Sequence, residues 1–398
     1  MRLLVLNQYY WPGVEATAHI LTELCEGLAD GREVHVITGT LHAHEDEPHR
    51  AVRNGVSIRR IRSTSFDRSR LTARASNYFT YLAGALWRGI TGKRPDIVVS
   101  MTDPPMVGAV ALAVARRFRV PLVVICQDVF PETAVRLGRL TNPFVVGVLR
   151  RIVRSYLRRA DRVVAIGETM RERLIAKGTP AERIVVIPNW TDTAAITPTA
   201  RDNGWAHTHD LVDRFVVMHS GNVGHAQDLE TLVRAAALLE DLERLEIVVI
   251  GFGARHAAIV ALAREVGATN VRFLPYQPRE VLHESLAAAD LHFVGLAPGL
   301  AGFVVPSRLY GVLAAGRPVL VSADETSETV HVVRSAGCGI VVPPRNPGAV
   351  AAAIRAVYEG ACDVERLGRA GRTWVEQEGG KARALARYEE LLCGLLER

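Results

Sequence analysis

Short apolar segments alternate with longer amphipathic segments along the whole chain. In the first half, the apolar segments are nearly continuous and rich in Val and Ile: RLLVL, EVHVIT, DIVVS, PLVVIC, RVVAIG and RIVVIP. Strands that are buried on both faces of a parallel sheet have this composition. Amphipathic stretches at 15–30, 105–118 and 141–159 lie between them and predict helices. The alternation therefore predicts an α/β domain with a doubly wound parallel sheet.

The alternation stops once and then resumes. Residues 188–211 are polar and broken by Pro and Gly, which predicts an interdomain linker. After them, FVVMHSG, EIVVIGFG, VRFLP, DLHFVG, RPVLVS and GIVVPP predict a second parallel sheet. We expect two Rossmann-like domains, at 1–195 and 196–377, facing each other across a cleft, with the helical segment 378–398 packing back on the first. Ligands of such sheets bind at the carboxyl ends of the strands.

Composition and charge narrow the class of protein. The 398 residues are 48% hydrophobic and 23% charged, which is typical of a globular protein with more than one core. Residues 1–195 hold 28 Lys and Arg against 18 Asp and Glu, whereas the remainder holds 20 against 24. The basic first half favours an anionic partner for that domain, and an overall nucleic-acid binder is disfavoured. The five cysteines are scattered without C-x-x-C spacing, which indicates a reducing cytoplasm.

Three strand-to-helix turns are candidate binding sites. The first follows RLLVL and contains Gly13, where backbone N–H groups can approach an anion. The second follows FVVMHS and contains Gly221, Asn222 and Gly224. Its third fingerprint glycine is missing and no acidic residue follows the next strand, so a dehydrogenase is disfavoured, whereas a diphosphate on the helix start stays open.

The third turn, VPSRLYGVLAAGRPVL, carries the most chemistry. Pro306 and Ser307 stand at a helix start, and Arg308 adds a cation one residue later. Free N–H groups and a guanidinium together suit a leaving diphosphate, although a surface arginine on a tightly packed helix has the same pattern.

The histidine-rich segments do not predict a metal site. LHAHEDEPH contains His42, His44 and His49, and HTHD contains His207 and His209, but neither has ligand periodicity. No D-x-D pair is present to hold a divalent cation on a nucleotide. We therefore expect solvated loops and no metal or other cofactor.

The chain resembles glycosyltransferase family 4, whose members have the GT-B fold. The resemblance runs almost end to end through WPGVEATAHILTELCEGLADGREVHVIT, VVIPNWTD, HSGNVGHAQDLETLV, VPSRLYGVLAAGRPVL and SAGCGIVVPPRNPGAVAAAI. QDVFPETAVRLG and PGLAGFVVPSRLYGVLAAGRP are closest to the bacterial surface-polysaccharide branch that includes N-acetyl-fucosamine transferases. The motifs are much less specific for substrate than for fold and reaction.

The resemblance implies retaining transfer from a nucleotide sugar, usually UDP-linked, without metal. Gly13 would lie near the donor phosphates, and Gly221, Asn222 and Gly224 would border the diphosphate. Arg308 takes the place of the basic residue that contacts it, beside Ser307. Gln127 and Asp128 stand where many relatives have a His–Asp pair near the reacting sugar, with Glu132 nearby.

One departure from the family concerns two glutamates that many relatives carry eight residues apart. Aligned on AAGRP, they fall on Phe303 and Gly311, neither of which is acidic. The usual ribose-binding carboxylate is therefore absent from that helix. Glu328, at the next strand-to-helix turn, is the candidate substitute, and an exposed first-turn glutamate is the alternative.

An arginine-rich stretch raises the question of a membrane surface. In NPFVVGVLRRIVRSYLRRADR a helix would place Arg150, Arg151, Arg154, Arg158 and Arg159 along one side, beside Val145, Val148, Leu149, Ile152, Val153 and Tyr156. RLTARASNYFTYLAGALWRGI mixes aromatics and arginines similarly. Such a helix lies on anionic lipid or packs on the core with a solvated basic face.

Four interpretations of function remain open at this stage. The leading one is a cytoplasmic transferase, peripheral on the inner face of the plasma membrane, that moves a sugar, with an N-acetylated one as a candidate, onto a lipid-linked acceptor. The others are a transferase for a small soluble acceptor, a UDP-sugar 2-epimerase, and an inactive sugar-nucleotide-binding protein. No apolar stretch reaches the length of a transmembrane helix.

Overall fold

The computed structural model describes residues 1–13, 15–40, 47–62 and 71–397, with the backbone alone for 71–75. The chain divides into two compact units. Unit 1 comprises Met1–Pro188 and Ala384–Arg398, and unit 2 comprises Asn189–Arg383. The expected boundaries after residues 195 and 377 thus both fall inside unit 2.

Unit 1 is built around one sheet whose order is β3-β4-β2-β1-β5-β6-β7-β8 in its described residues. Its strands are β1 Arg2–Leu6, β2 Glu33–Gly39, β3 Arg50–Arg53, β4 Val56–Ile61, β5 Ile97–Ser100, β6 Leu122–Cys126, β7 Arg162–Ala165 and β8 Ile184–Val186. All of these pairs are parallel except β3 with β4. The strand order reverses between β1 and β5, and a crevice at their carboxyl ends is the expected place for a ligand.

The helices of unit 1 cover both faces of this sheet, as the doubly wound pattern predicts. They are α1 Ala16–Leu28, α2 Leu71–Thr91, α3 Val107–Phe118, α4 Glu132–Arg136, α5 Pro143–Leu157 and α6 Glu168–Ala176. Helix α3 packs against both α2 and α5, so these three helices form one continuous layer.

Unit 2 has a second sheet, of order β11-β10-β9-β12-β13-β14, and all its pairs are parallel. Its strands are β9 Phe215–Ser220, β10 Leu245–Ile250, β11 Val271–Leu274, β12 Leu291–Gly295, β13 Val319–Ser322 and β14 Gly339–Val342. Its helices are α7 Gly204–Thr208, α8 Leu229–Ala237, α9 His256–Glu265, α10 Leu282–Ala287, α11 Arg308–Ala314, α12 Glu328–Ala336, α13 Pro347–Tyr358 and α14 Val364–Glu378. The strand order reverses between β9 and β12, beside two of the candidate turns.

The last helix, α15 Lys381–Leu396, begins in unit 2 and continues into unit 1. Tyr388 and Leu392 pack with Leu21 and Leu24 of α1. A Cβ on Gly27 would lie 2.5 Å from Leu385 Cδ1, so glycine permits the close approach of α1 and α15. The C-terminal segment is thus an integral part of the unit 1 core.

The predicted linker is instead an ordered part of unit 2. Trp190 and Trp205 within it are buried. The Arg372 guanidinium donates to Ile196 O at 2.8 Å and to Ala314 O at 2.7 Å, which fixes the segment against α11. The sequence predicted a linker because most residues of this segment are polar, and only a few large apolar side chains, such as Trp190 and Trp205, fix it to the core.

Two further features bear on the membrane question. Among the described residues, no helix is long and apolar enough to cross a membrane. Helix α5 buries Val146, Val153, Tyr156 and Leu157, whereas Val145 and Val148 of the expected apolar stripe are exposed.

Candidate functional site

The carboxyl end of β9 holds an arginine against a glycine turn. Gly221 has φ +137, and the Arg308 Cζ would lie 3.6 Å from a Cβ at this position. A Cβ on Gly251, at the end of β10, would lie 2.1 Å from Gly221 O. The two neighbouring turns therefore pack backbone to backbone, and the guanidinium of Arg308 rests on the first.

Arg308 is partly buried and its hydrogen-bond partners are neutral groups. Its Nη1 donates to the His219 ring, 2.8 Å from Nδ1, and Nη2 lies 3.4 Å from Asn222 O. His219 is fully buried, and burial, followed by the charge of Arg308, holds its pKa well below the usual range. Burial lowers the pKa of Arg308 only to about 10, so the guanidinium is charged at neutral pH. None of the ion pairs among the described residues involves Arg308, which leaves a cation available for an anionic ligand.

The start of α8 does not suit the diphosphate that the sequence left open there. The side chain of Asp228, at the N-cap position of α8, accepts hydrogen bonds from Thr231 Oγ1 at 2.9 Å and Arg345 N at 3.1 Å. A carboxylate at this position repels a second anion. The N–H of Gly224 donates to Gln227 Oε1 at 3.0 Å, so it is also engaged within the turn. Of the two candidate helix starts in unit 2, those of α8 and α11, the start of α11 beside Arg308 is the better place for phosphate.

Ser307 stands at the N-cap of α11, and its side chain caps no backbone N–H. Glu328 is the first residue of α12, where Ser327 Oγ accepts from Val330 N at 3.3 Å. Burial, then the negative charge of Glu328, raises the pKa of the buried Tyr310. Glu328 therefore lies close to α11, the helix that lacks the family carboxylate, and it is half-buried rather than exposed.

Neither position of the missing glutamates is exposed, and the one at Gly311 faces apolar side chains. Phe303 is buried. A Cβ on Gly311 would lie 3.8 Å from Leu286 Cδ1 and 3.9 Å from Ile196 Cδ1. The inner side of α11 at residue 311 is thus a packing contact in this chain.

Two exposed aromatic rings near Arg308 were not singled out from the sequence. Phe252 and Tyr276 have ring centroids 6.2 Å apart, and Tyr276 Oη donates to Phe252 O at 3.3 Å. Tyr276 also acts electrostatically on Arg308, where it raises the pKa against the effect of burial. Exposed aromatic faces beside a guanidinium are a candidate surface for the base of a nucleotide. Phe252 stands in the sequence GFG and Tyr276 in PYQ, and neither is a recognisable motif.

In unit 1, the ends of three adjacent strands bring distant residues together. Thr102 follows β5 and donates from Oγ1 to Asp128 Oδ1, after β6, at 3.1 Å. Gln127 N lies 3.3 Å from Thr102 Oγ1, and Asn7, after β1, accepts from Asp103 N at 3.3 Å. Asp128 and Gln127 are therefore at the edge where the strand order reverses, together with Asn7, Thr102 and Asp103, which sequence reasoning missed.

Asp128 is a carboxyl group with a strongly shifted proton affinity. Burial, followed by the nearby negative charge of Asp103, raises the pKa of Asp128 to about 7, and the Thr102 hydrogen bond and Lys177 oppose that rise. A carboxyl group that titrates near neutrality at the strand ends is a candidate catalytic or hydroxyl-binding group.

Lys177 anchors the loop that carries Asp128. Its ammonium donates to Phe130 O at 2.7 Å and forms an ion pair with Glu132. Burial alone would raise the pKa of Glu132, but the hydrogen bond and charge of Lys177 outweigh it and lower that pKa. Arg150 Nε also donates to Glu132, at 3.0 Å. Glu132 is thus engaged in holding α4 and α5 together.

The remaining sequence candidates are Gly13 and the arginines of α5. The N–H of Gly13 donates to Tyr10 O at 2.9 Å, so this turn does not offer that amide to an anion. Arg151, Arg154 and Arg158 are exposed on or just beyond α5, whereas Arg150 is engaged with Glu132.

The described residues of the histidine segments form no cluster that suggests a metal site. His42 and His44 lie outside the described residues, and His49 Nε2 accepts from Arg62 at 2.8 Å. His207 pairs with Asp202 at 2.7 Å, and His209 stacks on Trp205 with a centroid distance of 4.1 Å. Within the described ranges, no group of three or more His, Cys, Asp or Glu residues is arranged to hold a metal ion.

The sequence of each half matches a family of transferase domains. Glycosyl transferase 4-like domain matches residues 15–190, and Glycosyl transferases group 1 matches residues 207–374. Two parallel α/β units with these sequences define a glycosyltransferase of the GT-B class. The chain belongs to the glycosyltransferase family 4 type, so the resemblance seen in its motifs is confirmed.

Individual proteins show the same similarity. The probable glycosyltransferase WbjE of Pseudomonas aeruginosa is 28% identical over 76% of this chain and 76% of its own length. The putative colanic acid biosynthesis glycosyl transferase WcaI of Escherichia coli is 32% identical over 51% of this chain and 50% of its own length. The structure of Anabaena HepE in complex with UDP and glucose matches with a TM-score of 0.77 at 15% identity, covering 99% of this chain and 100% of HepE. At that identity the match to HepE supports the fold alone.

Proposed function

We propose that this enzyme transfers a sugar, with an N-acetylated sugar as the first candidate, from a UDP-sugar to a lipid-linked acceptor in cell-surface polysaccharide synthesis. The transfer retains the anomeric configuration and needs no metal ion. The enzyme acts in the cytoplasm as a peripheral protein on the inner face of the plasma membrane. The name of WcaI supports the polysaccharide assignment, and the UDP held by HepE supports the donor class.

The observation that carries this proposal is the charged Arg308 guanidinium, which has no carboxylate partner among the described residues. Its hydrogen-bond acceptors, His219 and Asn222 O, are neutral. A partly buried cation of this kind gains most from an anion that binds in the site. The diphosphate of a sugar nucleotide supplies that anion, and its negative charge grows when the glycosidic bond breaks. Arg308 then stabilises the leaving group without help from a metal.

The proposed step balances as a substitution on one face of the sugar. The bond between the anomeric carbon and the diphosphate oxygen breaks, and a bond from the same carbon to the acceptor hydroxyl oxygen forms. The hydroxyl proton passes to the departing phosphate oxygen. Catalysis of this kind depends on position and electrostatic stabilisation more than on a strong base. Asp128 serves as the hydrogen-bond acceptor that holds a sugar or acceptor hydroxyl.

A screen of nucleotide sugars against acceptors tests the whole proposal. The enzyme is incubated with UDP-, GDP- and TDP-sugars, with polyprenyl-diphosphate-linked or soluble acceptors, with and without EDTA, and the products are read by mass spectrometry and anomeric NMR. We expect a product from a UDP-sugar and a polyprenyl-linked acceptor, unchanged by EDTA and of retained configuration. Transfer only to soluble acceptors would reject the lipid-linked part. UDP binding without transfer or hydrolysis would favour an inactive sugar-nucleotide-binding protein. The absence of the two family glutamates, at Phe303 and Gly311, is the sequence argument for that alternative.

Replacing Glu328 with glutamine tests the ribose contact. We expect the donor KM to rise about tenfold with little change in kcat, because a charge-assisted hydrogen bond to a ribose hydroxyl contributes about 1.5 kcal/mol or more. Steady-state kinetics at varied donor concentration measures the effect. Glu325→Gln is the matched control, since Glu325 is exposed, lies three residues before Glu328 and pairs with Arg334 in the last turn of α12. An unchanged donor KM for Glu328→Gln would remove Glu328 from the donor site.

A further inference from the structure

Two arginines stand directly opposite each other at the edge of the unit 1 sheet. Strands β3 and β4 form an antiparallel hairpin around Asn54 and Gly55, both with positive φ. This tight turn fixes the register, in which Arg50 pairs with Arg59. Like charges at directly opposed positions destabilise a sheet. An anion that binds between them would offset this repulsion.

A third arginine approaches from helix α2. Burial, then the positive charges of Arg88 and Arg50, lowers the pKa of Arg59. None of these three arginine side chains takes part in an ion pair or hydrogen bond within the described part of the chain. Among the described residues, the cluster thus consists of three guanidiniums that repel one another and have no acidic partner. Arg53 and Arg60 in the same hairpin differ, since they pair with Glu26 and Glu47.

The three arginines line a groove of about 690 Å³ between the sheet and the end of α2. Lys93, Arg2 and His35 also line it, and its described lining contains no Asp or Glu. The floor is apolar, and Val52 on β3 is 76% exposed. The groove extends from the first half of β1 to the middle of β2 and β4, whereas Gln127 and Asp128 follow the carboxyl end of β6. It is therefore separate from the candidate catalytic cluster of unit 1.

The composition of the helices beside the groove indicates which kind of anion binds there. The layer of α2, α3 and α5 contains no Asp or Glu, but carries Arg88, Arg116, Arg117, Arg150, Arg151 and Arg154. Its outer surface also exposes large apolar side chains: Phe79 and Trp87 on α2, and Phe144 on α5. Arginines and exposed aromatic rings without acidic residues are the composition of a surface that rests on anionic lipid.

We propose that the groove formed by Arg50, Arg59 and Arg88 binds the phosphate of an anionic lipid headgroup and so fixes unit 1 on the bilayer. The proposal deepens the peripheral membrane role given above, on which it rests. It assigns the contact to a defined phosphate site and not only to the general charge of α5. Charge complementarity selects the headgroup, and exposed Val52, Phe79 and Trp87 select a lipid surface over a free phosphate.

The test compares two double variants that remove the same charge. Arg59→Gln with Arg88→Gln removes two groove cations, and Arg116→Gln with Arg117→Gln removes two exposed cations from α3, outside the groove. Sedimentation of the full-length protein with phosphatidylglycerol vesicles, and with phosphatidylcholine vesicles as the neutral reference, gives partition coefficients at several salt concentrations. Calorimetric titration with glycerol 3-phosphate measures binding of a free phosphate. Thermal unfolding checks folding, which loss of the Arg50–Arg59 repulsion should not impair.

We expect the groove variant to lose more than about 100-fold in partition onto phosphatidylglycerol and the α3 variant to lose about 30-fold at most, since each of the two surface charges that it removes contributes about 1 kcal/mol. An equal loss in both variants would overturn the groove site in favour of a diffuse field. Glycerol 3-phosphate binding that the groove variant abolishes, with unchanged vesicle binding, would overturn the lipid assignment. Hydrolysis of the sugar nucleotide without membrane should be equal in all three proteins, so its loss would mark a failure of the proposed donor chemistry instead.

Discussion

Replacing Arg308 with alanine should reduce sugar transfer about 10³-fold and leave the protein folded. The magnitude follows from removal of a preorganised cation that meets the developing charge of the diphosphate. Folding should not suffer, because the guanidinium is partly buried beside a neutral imidazole and forms no ion pair within the described part of the chain. Turnover at saturating donor, the Kd of UDP and the thermal midpoint measure the three quantities separately.

Two companion variants make this result interpretable. Arg308→Lys keeps the charge, but a single ammonium cannot contact His219 and also donate two parallel hydrogen bonds to a ligand, as a guanidinium can. We therefore expect an intermediate loss of transfer. Arg334→Ala removes an exposed arginine of α12 that pairs with Glu325, and transfer should stay within twofold. Transfer by Arg308→Ala within tenfold of the wild type would refute the central role of this cation.

Replacing Asp128 with asparagine should lower transfer about 10²-fold and at the same time stabilise the protein at alkaline pH. The loss reflects removal of the charged hydrogen-bond acceptor. The gain follows from the pKa of Asp128, which burial and then Asp103 raise to about 7. A carboxyl group whose pKa is raised on folding costs little stability below its unfolded pKa, near 4, and progressively more as the pH rises to 7. Above pH 7 the variant avoids that cost, on the order of 2–4 kcal/mol at most.

The pH dependence of transfer distinguishes the loss of a titrating carboxylate at Asp128 from general damage to the site. Transfer by the wild type should increase with pH around a midpoint near 7, and that inflection should be missing from Asp128→Asn. Lys177 lowers the pKa of Asp128, so Lys177→Met should shift the midpoint upward. Chemical denaturation at pH 5 and pH 8 measures stability. An Asp128→Asn protein that is less stable than the wild type at pH 8 would contradict the assignment of a raised pKa.

Most of the fold could be predicted because its strands are buried on both faces. Each of the twelve apolar segments contains one strand, and the segments of unit 2 account for its whole described sheet. The hairpin β3–β4 was missed because its RAVR and VSIRRI segments carry arginines that are unusual in a sheet. Asn54–Gly55 between two short alternating segments was the available signal.

The candidate site could be predicted only where it is local in sequence. Gly221 and Arg308 belong to recognisable turns, and so does Asp128. His219 was missed because a histidine within FVVMHS looks like part of a buried strand. Thr102 meets Asp128 only because β5 and β6 are neighbours in the sheet, and Lys177 meets Glu132 across 45 positions of sequence. Such contacts depend on topology and not on local pattern.

The layer of α2, α3 and α5, which contains no Asp or Glu, has a kinetic consequence under the proposal that the acceptor is lipid-linked. A protein held on the bilayer by α2, α3 and α5 meets its acceptor by lateral diffusion in two dimensions. The rate then depends on the mole fraction of acceptor among the lipids and is insensitive to the bulk concentration of vesicles once all protein is bound. Added neutral lipid should slow transfer by surface dilution even though the total amounts of enzyme and acceptor are unchanged.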